Sequence, residues 1–510
     1  PSDSGLHGRI GEVQVSPYDG PSPLYRHGRL RVAPNRRTLE HADGTPFLWV
    51  GDTWWMGLLP RLDWPHGFQE LAFDRVAKGF NVVQIVAGPQ PDYDAIESPF
   101  DPLQGNEGGL PWERDWERIN PAYFDLADLR LSALVEWGLM PCVVGMWGYF
   151  LPAMGEQNAR RHWRYLLARY GAYPVVWCVA GETDMVTYSL RHGEQDEPTQ
   201  AEIRRHQAMQ REGWTGVASY VREVDPFGNL ITTHPSRPDS RSMLLDESAL
   251  DLNMLQTGHA GYNSLEQSVV LLSESLDKTP SMPTFISEAC YEGIMGGSGA
   301  EIQRFLFWAS ITLGACGFTY GAQGIWAMNS PEQPYTGYTG SWGDGFWQDA
   351  MHYPGSAQVG LGQRLLQRWP WWLLQPCVTP AADGLDRPAF CCRIPGALML
   401  IYSPPNWFEE SLSGLRADWS GSLLDIAIEP GARYRACYMN PRTGEEVRSY
   451  VTQRGRRVEL GAVLPREDGF WTPPRKPTME DWVLVLEDRK ALDELAASSP
   501  ARPPRSDPST

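Results

Sequence analysis

Two glutamates each close a short apolar run in this sequence, Glu182 at the end of VVWCVAGE (175–182) and Glu288 within PTFISEA (283–289). Two carboxyl groups facing one another across a cavity suit cleavage of a sugar acetal. One protonates the leaving oxygen, and the other attacks the anomeric carbon when they stand about 5 to 5.5 Å apart, or activates a water when they are farther apart. Other polar and aromatic residues end similar runs: Asp52 and Trp54, Gln84, Trp147, Asp184, His234, Gln256 and His259, then Tyr320, Gln323 and Trp326. Glu182 is read as the general acid/base, because a strand delivers it to a rim where apolar surroundings would raise its pKa. An ion pair with a loop arginine is the competing reading for such a strand-end glutamate. Glu288 is read as the nucleophile, and the pairing of the two carries the argument.

The neighbours stay open. Asp184 is either an alternative acid or, preferred, a cap for the next helix. Asp52 is a candidate to anchor sugar hydroxyls through paired hydrogen bonds, or else a buried carboxylate satisfied by barrel amides. His234 and His259 would hold hydroxyls or tune Glu288, or else be satisfied structural residues. Gln84, Trp147, Gln256, Tyr320 and Trp326 complete the candidate substrate-binding set with Trp54. No cofactor is expected. A metal site is not expected either, since His234, His259, Glu182 and Glu288 show no local ligand spacing. No G-x-S-x-G elbow supports serine chemistry, and GEVQVSPYDG and GGSGAEIQ match no phosphate loop.

The elements that must position these residues repeat in order. Eight apolar runs, FLWVGD (47–52), NVVQIVAG (81–88), MPCVVGMW (140–147), VVWCVAGE (175–182), LITTHP (230–235), LNMLQTG (252–258), PTFISEA (283–289) and GFTYGAQG (317–324), read as strands buried on both faces. Helical patterns such as HGFQELAFDRVAKG and AEIQRFLFWASITLG lie between them, several ending at a glycine. The fold class expected is α/β: a (β/α)₈ barrel over 27–371, with its active site at the strand C-termini. Long loops follow strands two, four and eight, where binding elements are expected. Over 372–490, short strand-like pieces such as FCCRI, ALMLIYS and DWVLVLED indicate a C-terminal β-sandwich. Residues 1–26 form an N-terminal extension with one convincing strand, EVQV, and 491–510 a disordered tail.

Composition narrows the partners. The 510 residues exceed one ordinary core, and with 42% hydrophobic and 21% charged residues most of the chain should fold. A formal net charge of -18 argues against nucleic acid and anionic membranes, and favours a neutral substrate. The 22 Trp and 20 Tyr offer platforms for sugar faces, although many must fill the core. No apolar run approaches the roughly 20 residues that span a bilayer. No leader pattern opens the chain, so a signal peptide is either absent or was removed before Pro1. Cys142, Cys178, Cys290 and Cys316 read as buried free thiols, Cys391 and Cys392 as pointing to opposite strand faces, and cysteine usage suggests a reducing, cytoplasmic setting.

The chain resembles the apiosidase-like glycoside hydrolases across most of residues 27–490. LEHADGTPFLWVGDTWW, RVAKGFNVVQIV, INPAYFDLADLRLSALVEWGLMPCVV, VVWCVAGETD, ITTHP, LNMLQTGH, PTFISEACYEGI and GACGFTYGAQGIW carry the likeness. The resemblance implies a (β/α)₈ barrel with a C-terminal module that has been associated with collagen binding. It implies exo-acting removal of a furanose-type sugar such as apiose, with the acid/base after strand four and the nucleophile in an E-x-x-Y-E-G block. Those positions are Glu182 and Glu288, with Tyr291 and Glu292 completing the block. Family members commonly carry Gly-Gly-Asp where this chain has Ala180, Gly181 and Glu182, which lengthens the acid's reach by about one methylene. The insert at about 188–212 and the loop SPEQPYTGYTGSWGDGFW would wall a pocket suited to terminal sugars. The alternatives are a glycosidase or transglycosylase for another rare sugar, and a carbohydrate binder that has lost catalysis, disfavoured because both carboxylates are present. The sandwich is read as packing against the barrel rather than as an independent binder.

Overall fold

The computed structural model describes residues 12, 14, 16, 18–91, 99–187, 190, 196–236, 238–335, 345–377, 379–380, 386–387, 390–408, 410–415, 425–452 and 454–498. All eight expected strands form: β1 (Trp49–Trp54), β2 (Val82–Val86), β3 (Met140–Val144), β4 (Val176–Cys178), β5 (Leu230–Thr232), β6 (Asn253–Gln256), β7 (Thr284–Glu288) and β8 (Gly317–Tyr320). They make one parallel sheet in the order β5-β4-β3-β2-β1-β8-β7-β6. Every residue of the eight is buried, as their unbroken apolar runs require. Helices cover the outside. Two of them, His66–Lys78 and Ala300–Leu313, end at glycines in the left-handed conformation, Gly79 (φ 98°) and Gly314 (φ 94°), as the sequence signals.

The alternation breaks once. Among the described residues between β5 and β6 there is no α-helix, only the short 3-10 turns Ser240–Met243 and Glu247–Ala249. The intervening PDSRSMLLDESAL offers Asp, Ser and Pro instead of a 3.6-residue apolar stripe. These turns fill the gap where the sheet ends meet. Ser240 Oγ accepts from Met254 N (2.8 Å), Thr232 Oγ1 donates to Leu252 O (2.9 Å), and Asp251 joins Ile231 through its backbone N–H and its carboxylate.

In the C-terminal region, a six-stranded sheet runs in the order Gln375–Pro376, Phe390–Ile394, Leu398–Ser403, Trp482–Glu487, Arg435–Met439, Glu446–Val447, with antiparallel pairings. Alternate residues serve two cores. Cys392, Leu398, Leu400 and Val483 face the barrel, while Cys391, Met399, Ile401 and Leu484 face small ribbons built around Ile426, Ile428 and Trp471. Phe305 of helix Ala300–Leu313 packs on Phe390 and Phe408, its neighbour Arg304 makes two 2.9 Å bonds to Asp481, and Phe307 packs on Phe318 of β8. That helix is buried over Ile302–Thr312 because it lies between barrel and sheet, each buried aromatic contributing about 1.5–3 kcal/mol.

Three details depart from the sequence reading or lie outside it. Cys377 and Cys391 form a disulfide that the sequence analysis does not anticipate, while Cys142, Cys178, Cys290 and Cys316 are free and buried. The expected tail begins as a helix, Arg489–Ser498, because Asp488 caps it and Ala491, Leu492 and Leu495 present one apolar face to the core. The expected EVQV strand (12–15), with 13 and 15 undescribed, and the remainder of the tail fall outside the described residues.

Candidate active site

Which side chains reach the barrel mouth is decided by strand alternation. Trp49 packs on Phe285 at 4.6 Å between ring centroids and donates to Thr319 Oγ1 (3.0 Å), so Trp49, Gly51 and Thr53 of β1 face the lumen. Asp52 and Trp54 therefore face the helices, which corrects their assignment to substrate. Asp52 is fully buried and accepts from Arg75 Nε (2.6 Å), Trp54 Nε1 (2.7 Å) and its neighbour Thr53 N (2.9 Å). The Trp54 ring lies on Phe68, in the helix after β1. Tyr320 falls to the same correction. Its hydroxyl donates to Glu292 Oε2 (2.7 Å), and its ring meets Phe80 and the Arg75 guanidinium outside the sheet.

The two glutamates do meet. In β7 the register shifts by one residue between Ile286 and Glu288, so that Glu288 pairs with Gln256 of β6. Ser287 is the extra residue of this bulge, and its insertion sets Glu288 and Gln256 side by side on the lumen face. Gln256 Nε2 donates 3.1 Å to Glu288 Oε1 and 3.1 Å to Glu182 Oε1. The two carboxylate oxygens are thus no more than 6.2 Å apart, twice that bond length. Trp147 Nε1 donates 3.2 Å to the other oxygen, Glu182 Oε2. Glu182 has φ 37°, a conformation that costs a non-glycine residue about 1–3 kcal/mol and turns its side chain at the strand end. Gly181 before it is required by contact: a Cβ there would lie 2.1 Å from the Trp147 ring.

Glu288 is the more enclosed of the two. His259 Nε2 lies 2.8 Å from its Oε1, and His234 Nε2 lies 3.4 Å from its Oε2. Burial pushes the Glu288 pKa upward. The bond from His259, the fields of both imidazoles and the Tyr291 hydroxyl together outweigh it and hold the carboxyl below its ordinary value. His234 is fully buried between Trp55 (5.0 Å) and Trp147 (6.3 Å), and burial lowers its pKa to about 4 despite the attraction of Glu288. Tyr291 accepts from Trp55 Nε1 (3.0 Å) and stacks near Trp326. It fits only because Gly321 opposite it has no Cβ, which would lie 2.3 Å from the ring. Trp326 in turn donates to Gln323 Oε1 (3.0 Å). Gln84 does not reach the mouth. It spans the lumen below the pair and donates to Ser287 O (2.9 Å), supporting the bulge.

Of the sequence candidates, the structure gathers Glu182, Glu288, Trp147, His234, Gln256, His259, Tyr291 and Trp326, and places Gln84 beneath them. Trp55 was missed. It links Tyr291, Trp147 and His234, and once the Phe285 contact turns Trp49 to the lumen, counting outward by twos reaches Trp55, not Trp54. Among the described helices, none is capped by Asp184. The next long helix, Glu197–Val224, is capped by Asp196, while Asp184 accepts from the Ser236 hydroxyl and burial raises its pKa. Of the two loops expected to wall the pocket, 188–189, 191–195 and 336–344 lie outside the described residues. Among the described residues, no group of three or more His, Cys, Asp or Glu is arranged to hold a metal ion.

A family model described as apiosidase-like, catalytic domain, matches residues 33–373. A search of curated proteins gives no match. Among solved structures, a glycoside hydrolase family 5 protein from Bacteroides vulgatus ATCC 8482 is 22% identical with a TM-score of 0.67, covering 94% of this chain and 97% of that one. A second structure, described as a glycoside hydrolase, is 20% identical with a TM-score of 0.68, over 92% of this chain and 99% of its own. Both likenesses are of fold.

Proposed function

Since the chain belongs to the apiosidase-like family and is a glycoside hydrolase, we propose that it is a retaining, exo-acting enzyme that releases a terminal furanose-type sugar, apiose- or arabinofuranose-like. Glu182 is the acid/base and Glu288 the nucleophile. The observation that carries this reading is the single amide nitrogen of Gln256 bonded to both carboxylates. Those two bonds keep the oxygens within 6.2 Å of each other, short of the roughly 6.5–9.5 Å of pairs that admit a water and compatible with the roughly 5–5.5 Å of pairs that form a covalent glycosyl intermediate.

The chemistry follows from the contacts. Glu288, held ionised by its histidine and tyrosine neighbours, attacks the anomeric carbon as Glu182 protonates the departing oxygen. Glu182 then takes a proton from a water whose oxygen attacks the same carbon and displaces the Glu288 carboxylate, which releases the sugar with its anomeric configuration retained. Trp55, Trp147, Tyr291 and Trp326 present the aromatic edges and faces against which a furanose ring packs. The terminal position of that sugar rests on the family resemblance.

Trapping tests the reading. A 2-deoxy-2-fluoro furanoside with a good leaving group should add one sugar mass to the peptide that contains Glu288. Label on another residue, or an initial product of inverted configuration by NMR, would overturn it.

A further inference from the structure

Among the described residues, one tryptophan is markedly exposed: Trp407, at 49%. It belongs to the C-terminal region, in the turn Asn406–Phe408 that follows strand Leu398–Ser403, yet this turn is clamped against the loops of the catalytic face. Phe408 beside it is buried against Phe305 and Tyr262. Six residues further on, Gly414 N donates to Glu266 Oε2 (2.9 Å), in the first turn of helix Leu265–Leu276.

Tyr262 ties this turn to the site. It lies in Gly261–Ser264, the loop after β6, three residues beyond His259, which contacts Glu288. Its hydroxyl donates to Glu301 Oε1 (2.6 Å), in the first turn of the helix after β7, with the Trp407 indole beside it. The indole thus sits between the clamped turn and Tyr262, with about half of its surface left to solvent. Loops after β6 and β7 open on the same barrel face as the two carboxylates. Three residues of chain span at most about 10 Å, so Tyr262, on which Phe408 packs, lies within that span of His259 and on the scale of a glycan a few sugars long.

We propose that Trp407 is a stacking platform for a sugar on the leaving-group side of the scissile bond, so that the C-terminal region takes part in recognising the glycan from which the terminal sugar is removed. This rests on the reading of the pocket as exo-acting, because the leaving group of such an enzyme is the part that extends outward. A lone exposed aromatic is ordinarily unremarkable. This one stands next to buried Phe408 in a turn clamped by Phe305, Tyr262 and Glu266, so stacking on it costs less ordering than on a free loop.

The test compares two substrates with one terminal furanose, a 4-nitrophenyl furanoside and a tetrasaccharide bearing that sugar at its end. Trp407→Ala should lower the ratio of kcat/KM for tetrasaccharide over nitrophenyl substrate by about threefold to tenfold, through KM, with Trp407→Tyr restoring it. An unchanged ratio would overturn the platform. If wild type cleaved neither substrate, the furanoside reading would fall by itself. Tetrasaccharide binding to Glu288→Ala, measured by calorimetry with and without Trp407, would then decide the platform, and equal affinities would overturn it.

Discussion

Replacing Asp52 by alanine separates a structural role from a substrate role. Asp52 and Arg75 are both fully shielded from solvent, with Nε and Oδ2 2.6 Å apart. The variant strips Arg75 Nε and the Trp54 indole of their acceptor, while the other arm of Arg75 keeps Asp74 and the Met351 carbonyl. Breaking a buried pair in this way costs about 3–5 kcal/mol. At about 2.1 cal/mol/K of unfolding entropy per residue, a segment as long as the matched 33–373 should melt roughly 4–7 °C lower. Differential scanning calorimetry reads the shift, and initial rates at 25 °C read catalysis on the folded fraction. KM should stay within about twofold of wild type, because the carboxylate faces the helices. A tenfold rise in KM at unchanged melting temperature would refute the argument from strand alternation and return Asp52 to the sugar.

Three further outcomes follow. Glu182→Ala should slow glycosides with poor leaving groups by about 10²–10⁴-fold and activated aryl glycosides much less; equal losses on both would remove Glu182 as the acid. Because Glu288 is held below the ordinary 4.5, activity should persist as pH falls and be lost only through that depressed value. The associated stability is likewise present at higher pH and lost in the same acid window, and His259→Ala should move the acid limb of the kcat/KM profile upward, an unmoved limb counting against the contact. Gly181→Ala should displace the Trp147 ring and so loosen the bond to Glu182, lowering kcat by about tenfold or more while secondary structure by circular dichroism is retained.

The eight strands were legible because burial on both faces writes itself as uninterrupted Val, Ile and Leu runs, and Glu182 and Glu288 because each closes such a run. Facing was not legible to the same degree. Asp52 and Trp54 attract attention as a polar and an aromatic residue at a strand end, but the parity that turns them outward is fixed by Trp49 meeting Phe285, a contact 236 residues apart in sequence. Strict alternation from Phe285 would likewise have turned Glu288 outward, and the one-residue bulge that corrects this has no local signature in TFISE. Gln256 as the bridge between both carboxylates was equally hidden, since its role exists only once three strands are assembled.

The barrel is a ring with seven strand-to-strand ladders, and its eighth joint, between β5 and β6, is fastened by the hydroxyls of Ser240 and Thr232 and by the backbone N–H and carboxylate of Asp251. In mechanical terms it is a split washer, and a split washer widens at its cut. Here the cut falls between the strand that leads to His234 and the strand that carries Gln256, so any breathing of the wall is felt first by side chains in contact with the nucleophile. The compliance of the enzyme and the setting of its carboxyl pair are thereby lodged in the same few ångströms.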